Sequence, residues 1–531
     1  MVTGFVRASA VLCAVGSAAF LKHLLKHPLM VVGALTALAL TLPTANPTLD
    51  AWYYAACVRW RHDLFLPHHL LYNSLGVAWT QVLPSTVDAR AALTALNALL
   101  YGGILLALRP VLRAAGAASS TEAAWLLLVG STFGLLRFAT ENEAYLAPLL
   151  LSVLASGAWA RWVRGDKDEV RRRGWLVLAG ALAACACLLH QLHFWWWLAL
   201  GLGTWWGRPG RWRAAILYGV PALVVPLAYV MAARHEGYAL TSVGLTDFVL
   251  HDYVVTGNTP TPGLKALLLT GINLLRTLGQ VHGSGLGLLT RWPVLAAVPV
   301  VAAALVWRAR GAWVGRRSLA DDGQRRLVRT HALAFGLHLA FAAVNDGNAE
   351  FMVMLPVLGA VLAAGWGHWQ SGALGLIGAA LLLWNLTFGL LPNSLLKLNA
   401  SAALAARVQA TPGANWLLTD EHLTENRLCY QTGRFRWPQL RAAPTILVRR
   451  AGGAARPFRR WLGTELRAGR AVYTDALSPA GLFDRARLTQ DNRDAELLRG
   501  FPVMARDSIL TTFGFVIVTR LGLPDSAARL Q

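Results

Sequence analysis

The sequence predicts an all-α polytopic membrane domain of about eleven transmembrane helices, followed by a small C-terminal α/β soluble domain. Three observations carry this expectation. Of 531 residues, 55% are hydrophobic and only 14% charged, against about 25% charged in soluble domains. Apolar runs recur, among them HPLMVVGALTALALTLP, WPVLAAVPVVAAALVW and SGALGLIGAALLLWNLTFGLL, each near the ~17–25 residues a helix needs to cross a bilayer. From about residue 395 the pattern changes to short β-rich runs around a helix-periodic one. Lipid offers the backbone no hydrogen bonds, so open spans must be helical.

Taken in order, residues 1–27 read as a cytoplasmic or interfacial segment, with 5–21 an interfacial helix. No small-residue cleavage site precedes KHLLKHP, so no cleaved signal peptide is assigned. The membrane domain is expected over 28–394. Its spans fall near 28–44, 90–108, 123–139, 145–162, 174–189, 194–206, 213–232, 291–307, 328–344, 351–367 and 372–391. Alternate connections hold the cations: Lys22 and Lys26; Arg109 and Arg113; Arg161, Arg164, Lys167 and Arg171 to Arg173; Arg208, Arg211 and Arg213; then the Arg308 to Arg329 connection. The positive-inside rule makes that side cytoplasmic. The opposite side then receives 45–89, 140–144, 190–193, 233–290, 345–350 and a tail domain over 395–531. In the tail, ANWLLTD, APTILVRR, RAVYTD and FGFVIVTR read as strands and RPFRRWLGTELRAG as a helix. No phosphate-binding glycine motif and no long-period repeat stands in the chain.

The formal net charge of +22 fits topology and contact with anionic lipid. It is scattered between spans rather than gathered into one basic domain, so nucleic-acid binding is not expected. The five cysteines give no disulfide framework. Cys185 and Cys187 inside an apolar run read as small buried hydrophobes.

Polar chemistry concentrates on the expected external side. Asp50 and Tyr53 stand in LDAWYY just after the first span, followed by Arg59, Arg61, His68 and His69. The next external connection, RFATENEAYLAP, carries Arg137, Glu141 and Glu143. LHQLHF carries His190 and His193, and VNDGNAEFMVMLP carries Asp346 and Glu350. Arg276 lies in the later long loop. A four- or five-residue turn needs no acids or histidines, and ionisable groups at membrane depth are costly and usually functional. Carboxylates suit a general base, while arginine and histidine suit a phosphate. A base beside a phosphate clamp fits group transfer from a lipid-linked phosphate donor. No cofactor is required by these residues. A divalent metal, magnesium or manganese, is compatible with the carboxylates, but no H-E-x-x-H is present and HQLH offers too few ligands for zinc.

At this point the chain resembles the GT-C superfamily of polytopic membrane glycosyltransferases, which includes protein O-mannosyltransferases and lipid A aminoarabinose transferases. The resemblance covers roughly residues 20–395. It rests on an acid soon after the first span (Asp50), the acidic-Tyr motif ENEAY, a later long external loop, the NDGNAEFMVMLP segment and an external soluble tail. Several members have two adjacent acids in the first loop, where this chain has Asp50 followed by Ala51. The resemblance implies an inverting transfer of sugar from a polyprenyl-phosphate donor to an external glycan, lipid or protein acceptor, in a bacterial inner membrane. Asp50, Glu141 and Glu143 would be catalytic. Tyr53, Arg59, Arg61, His69, Arg137, His190, His193, Arg276, Asp346 and Glu350 would bind substrate. The other readings are a transporter or flippase of lipid-linked sugars, and a non-catalytic envelope scaffold.

Overall fold

The computed structural model describes residues 23–165, 168–206, 210–251, 263–280, 284–316, 319, 321–479 and 493–524. The expected interfacial helix over 5–21, with Lys22, Lys167, Arg208 and Arg317, lies outside these residues. The chain forms two compact units. One comprises the described parts of Met1–Thr44, Asp63–His282 and Trp292–Leu391; the other those of Ala45–His62, Gly283–Arg291 and Pro392–Gln531.

The first unit is a helix bundle. Among the described residues seven helices are long and apolar enough to cross a membrane: Ala89–Ala115, Leu146–Arg164, Glu169–Leu189, Arg211–His235, Asp322–Val344, Ala349–Trp366 and Ser371–Leu395. An eighth candidate is the pair Ser119–Gly130 and Phe133–Ala139, which bends by 71° at its break. The expectation of about eleven spans is therefore met at seven or eight by length and composition. The other expected positions hold shorter helices: Pro28–Thr41, Phe194–Trp205 and Pro293–Arg308.

Helices in lipid gain no hydrophobic advantage from touching one another, so small residues and buried polar groups hold them together. At Gly378 a Cβ would meet the backbone of Leu127 and Leu128, so glycine permits that approach of helices. Trp159 Nε1 donates to Thr204 Oγ1 at 2.9 Å, and Trp196 Nε1 to Ser156 Oγ at 2.9 Å. Asn385 Nδ2 donates to Ser131 O and Leu278 O, both at 2.8 Å. Contacts of this kind are worth about 0.6–2 kcal/mol each in a membrane. In the C-x-C pair only Cys187 is buried; Cys185 is exposed. Residues two apart on a helix face different ways, which corrects the expectation that both are core.

The second unit carries a five-stranded sheet. With Trp313–Arg316 and Gly367–Trp369 of the bundle as β1 and β2, its strands are β3 (Asn415–Leu418), β4 (Leu440–Ala442), β5 (Val472–Thr474), β6 (Val503–Thr511) and β7 (Gly514–Leu521). The order is β4-β3-β5-β7-β6. β3 is parallel to β4 and β5, while β7 is antiparallel to β5 and β6. Helix Ala455–Arg467 stands where expected and places Phe458 and Leu462 in a core with Leu417, Val472 and Leu521.

APTILVRR is helical over Pro444–Arg450, not a strand. Its β-branched residues favour a strand, but Pro444 occupies the first turn, where a missing N–H costs nothing. Asp494 Oδ1 also accepts from the Thr445 N–H at 2.7 Å, which supplies a cap from a distant segment.

About half of the stretch expected as the first external loop, 45–89, is helical. Helix Leu49–Trp60 starts at Thr48, whose side chain accepts from Ala51 N, and it belongs to the second unit. There it lies along helix Glu421–Thr432: Trp60 Nε1 donates to Tyr430 O at 3.0 Å, and Asn426 Nδ2 to Leu49 O at 3.0 Å. The Arg427 guanidinium sits over the Trp52 ring at 4.7 Å. Asn46 Nδ2 donates to Asn393 O and Leu396 O, at 2.9 and 2.8 Å.

Candidate functional site

The polar cluster of the bundle is built around the turn after helix Phe133–Ala139. Thr140, Glu141, Asn142 and Glu143 are all buried, with Asn142 at 0% exposure and the two glutamates at 2–3%. Buried backbone carbonyls need donors, and the two N–H groups of one side-chain amide are shared among three of them. Asn97, from helix Ala89–Ala115, aims its amide nitrogen at Glu141 O (2.7 Å), Glu143 O (2.8 Å) and Phe138 O (3.3 Å). The Thr44 N–H donates to Thr140 O at 2.9 Å. The turn is thus held by its backbone, which leaves its side chains to other partners.

Arg137, four residues before Glu141, pairs with that carboxylate at 3.5 Å and also acts electrostatically on Glu350 and Glu143. Tyr145 donates its hydroxyl to Glu350 Oε2 at 3.2 Å. Arg137 is thus drawn to three carboxylates, Glu141, Glu350 and Glu143, in one cluster. Tyr72 joins it on another side: burial pushes its phenol well above the ordinary value, the Glu143 carboxylate adds to that, and Asn97 opposes it.

The histidines adjoin this cluster. His190 lies 5.0 Å from the Tyr145 ring and 4.3 Å from His69, edge to face. Its Nδ1 accepts from Leu192 N at 3.1 Å, capping the short turn Gln191–His193. His193 Nδ1 bonds to Ser152 Oγ at 2.8 Å, and its ring faces Trp196 and His338. Burial holds both imidazoles well below their ordinary value, and neighbouring histidines push the same way. Both are therefore neutral at pH 7. The neighbouring loop is strapped down by Gln191 Nε2 and the Tyr229 hydroxyl, which both donate to Pro67 O.

The turn carrying Asp346 and Glu350 rests on helix Leu264–Leu278. Asp346 and Gly347 both have positive φ, 53° and 66°. A Cβ on Gly347 would fall on the backbone of Leu269 and Thr270, and Asn273 Nδ2 donates to Gly347 O at 2.7 Å.

The expected site residues thus divide. Arg137, Glu141, Glu143, His69, His190, His193 and Glu350 come together in the bundle. Asp346 is exposed at the edge of its turn, and Arg276 stands in the last turn of the supporting helix, Leu264–Leu278. Asp50, Tyr53, Arg59 and Arg61 belong to the other unit. Asp50 is half-buried in the first turn of its helix rather than in a loop. Tyr53 meets Phe435 edge-on at 6.4 Å, and Arg59 sits over the Tyr430 ring at 4.9 Å. Arg61 caps the helix in a left-handed conformation and is exposed. Among the described residues no three His, Cys, Asp or Glu side chains converge as metal ligands would.

The structure adds Asn97, Tyr72, Ser152 and His338, which the sequence does not single out, and ties Tyr145 to Glu350. Tyr145 is within reach of sequence reasoning, as the last residue of ENEAY. The others are lone polar residues whose partners are distant in sequence.

No protein-family model matches the chain, and no curated protein does. Among solved structures there are matches that cover 92% of this chain. One is the oligosaccharyltransferase AglB from Archaeoglobus fulgidus in complex with an inhibitory peptide and a dolichol-phosphate, at TM-score 0.46 and 12% identity, with 74% of that chain covered. Another is ArnT from Cupriavidus metallidurans, in the apo state (TM-score 0.38) and bound to undecaprenyl phosphate (0.37). Both ArnT comparisons give 13% identity and cover 96% of that chain.

Proposed function

We propose that this protein is a membrane glycosyltransferase that moves a sugar from a polyprenyl-phosphate donor to an acceptor on the external face of a bacterial inner membrane. The observation that carries the proposal is the buried turn Thr140–Glu143, with Glu141, Glu143, Glu350 and Arg137 drawn together at one end of an apolar bundle. Ionisable groups buried at membrane depth are costly and by default mark functional sites.

In the proposed reaction a carboxylate, Asp50 or one of the pair Glu141 and Glu143, takes the proton of an acceptor hydroxyl. The oxygen attacks the anomeric carbon, the bond to the donor phosphate oxygen breaks, and the lipid phosphate leaves with inversion. Arg137 orients Glu141. The donor phosphate is assigned to arginines named from the sequence, Arg276 of the bundle among them. His190 and His193, held below the ordinary imidazole value by burial, supply hydrogen bonds without adding charge.

The test incubates purified protein with labelled polyprenyl-phosphate sugars, nucleotide sugars and candidate acceptors. Transfer from the lipid-linked donors alone is expected; use of nucleotide sugars with lipid-linked ones ignored overturns the proposal. The second reading is a flippase of lipid-linked sugars. The 71° break between Ser119–Gly130 and Phe133–Ala139 favours it, since transporters use interrupted helices. Movement of labelled lipid-linked sugar across proteoliposomes without transfer would establish that reading instead.

A further inference from the structure

The opposite end of the bundle carries a second feature, independent of the proposed reaction. Helices Ala89–Ala115 and Leu146–Arg164 both finish there. Arg164 Nη2 donates to Ala114 O at 3.0 Å, and Gln324 Nε2 donates to Ala115 O. A groove of about 350 Å³ opens between the two helices. Its floor is apolar, formed by Leu106 and Pro110 of one helix and by Gly157 and Ala160 of the other. Its rim is four guanidinium groups, Arg109, Arg113, Arg161 and Arg164.

Only part of that charge is answered. Glu122, 1% exposed, is the carboxylate that pairs with Arg109 and Arg113. Arg161 is held over the Trp175 ring at 4.3 Å, and Arg164 against backbone carbonyls; both contacts fix a guanidinium without neutralising it. The nearby Asp321 is occupied as the cap of the next helix, accepting from Gln324 N at 2.6 Å. The two helix ends contribute roughly half a negative charge each. Four cations against the Glu122 and Asp321 carboxylates and the two helix ends leave about one positive charge over the groove.

We infer that this groove binds an anionic phospholipid, the phosphate against the Arg161 and Arg164 guanidiniums and the acyl chain along Leu106, Gly157 and Ala160. Charge complementarity selects an anionic headgroup, and the apolar floor, with Leu106 42% exposed, selects a lipid over a free anion. Gly157 keeps the chain path open: where its Cβ would stand, the nearest atom is Val111 Cγ2 at 3.9 Å.

The test uses the full chain purified in a non-ionic detergent and stripped of lipid. Binding of phosphatidylglycerol, phosphatidylcholine and inorganic phosphate is followed by native mass spectrometry and by thermal shift. Phosphatidylglycerol is expected to bind and stabilise, phosphatidylcholine to bind at least tenfold more weakly by roughly the gain of one or two arginines, and inorganic phosphate to have no effect. Arg161→Gln with Arg164→Gln should cost roughly tenfold in phosphatidylglycerol affinity. Because those changes also remove internal contacts, Gly157→Leu is the second variant. It fills the chain path, leaves every charge in place, and should lose the lipid while the lipid-free protein melts as before. Equal binding of the two lipids, stabilisation by inorganic phosphate alone, or unchanged lipid binding by Gly157→Leu would each overturn the inference.

Discussion

Asp50, Glu141 and Glu143 are acids in different surroundings, and those surroundings set what each substitution should do. Asp50 stands in the first turn of a helix, where the partial positive charge of the helix end favours the carboxylate. Glu141 and Glu143 are buried beside Arg137 on a turn whose backbone is fixed by Asn97. If a residue is the general base, its amide isostere should lower transfer by roughly 10²–10⁴-fold with folding intact. We expect Asp50→Asn, Glu141→Gln and Glu143→Gln to include at least one such loss in the donor assay. Full activity in all three would remove the carboxylates from the reaction. Asn97→Ala is a stability change instead. It strips donors from the Glu141 and Glu143 carbonyls and should lower stability by about 1–3 kcal/mol, read as an earlier melting midpoint in detergent. The two glutamates are legible in the sequence because a four-residue turn with two acids stands out in an apolar chain. Asn97 is not, because one amide in a 27-residue apolar helix acquires its meaning only when the topology brings the turn beside it.

At the level of elements, length and apolarity place most of the bundle helices, since both are local properties. The tail is harder to read. APTILVRR has strand-forming residues, but Pro444 and the remote cap from Asp494 make it a helix. The β6 strand, Val503–Thr511, does not stand out in the sequence. Most of it is exposed, so it carries no core-facing alternation, and its place comes from pairing with β7. The turn Gln191–His193 yields a prediction of its own. His190 accepts a backbone hydrogen bond through Nδ1, and burial holds His190 and His193 below the ordinary imidazole value. Between that lowered value and about 6.5, the unfolded chain binds protons that the folded chain does not. The stability of the neutral pair is therefore fully present above about pH 6.5 and is lost as the pH falls below it. Melting midpoints in detergent should drop as the pH is taken from about 7.5 to about 5, and the slope should be shallower in His190→Gln with His193→Gln. An unchanged slope in that variant would show that the pair is not what titrates.

For the whole molecule the decisive variable is which end of the bundle faces the cytoplasm. The structure sorts the chemistry to two ends. Arg109, Arg113 and Arg164 meet Glu122 and Gln324's helix at one, while Asn97, Tyr145, His190 and Glu350 gather at the other. This sorting agrees with the alternation of cationic connections in the sequence, and it makes orientation a single binary choice. Lys and Arg in short connections resist translocation, whereas Asp and Glu contribute little. The arginine-rich end is therefore expected in the cytoplasm and the carboxylate cluster outside. A reporter active only in the cytoplasm should be active when fused after Gly165, in the arginine-rich connection, and silent when fused after Gln531. Strong activity at Gln531 would put the tail inside, and a lipid-linked donor presented on the outer face could then not reach a tail-side acceptor as proposed. Strong activity at both positions would mean that the bundle crosses an even number of times between them. That outcome would turn one of the short helices beyond Gly165, Pro293–Arg308 or Phe194–Trp205, into the element whose crossing must be reassigned, and glycosylation or cysteine-labelling on either side of each would identify it.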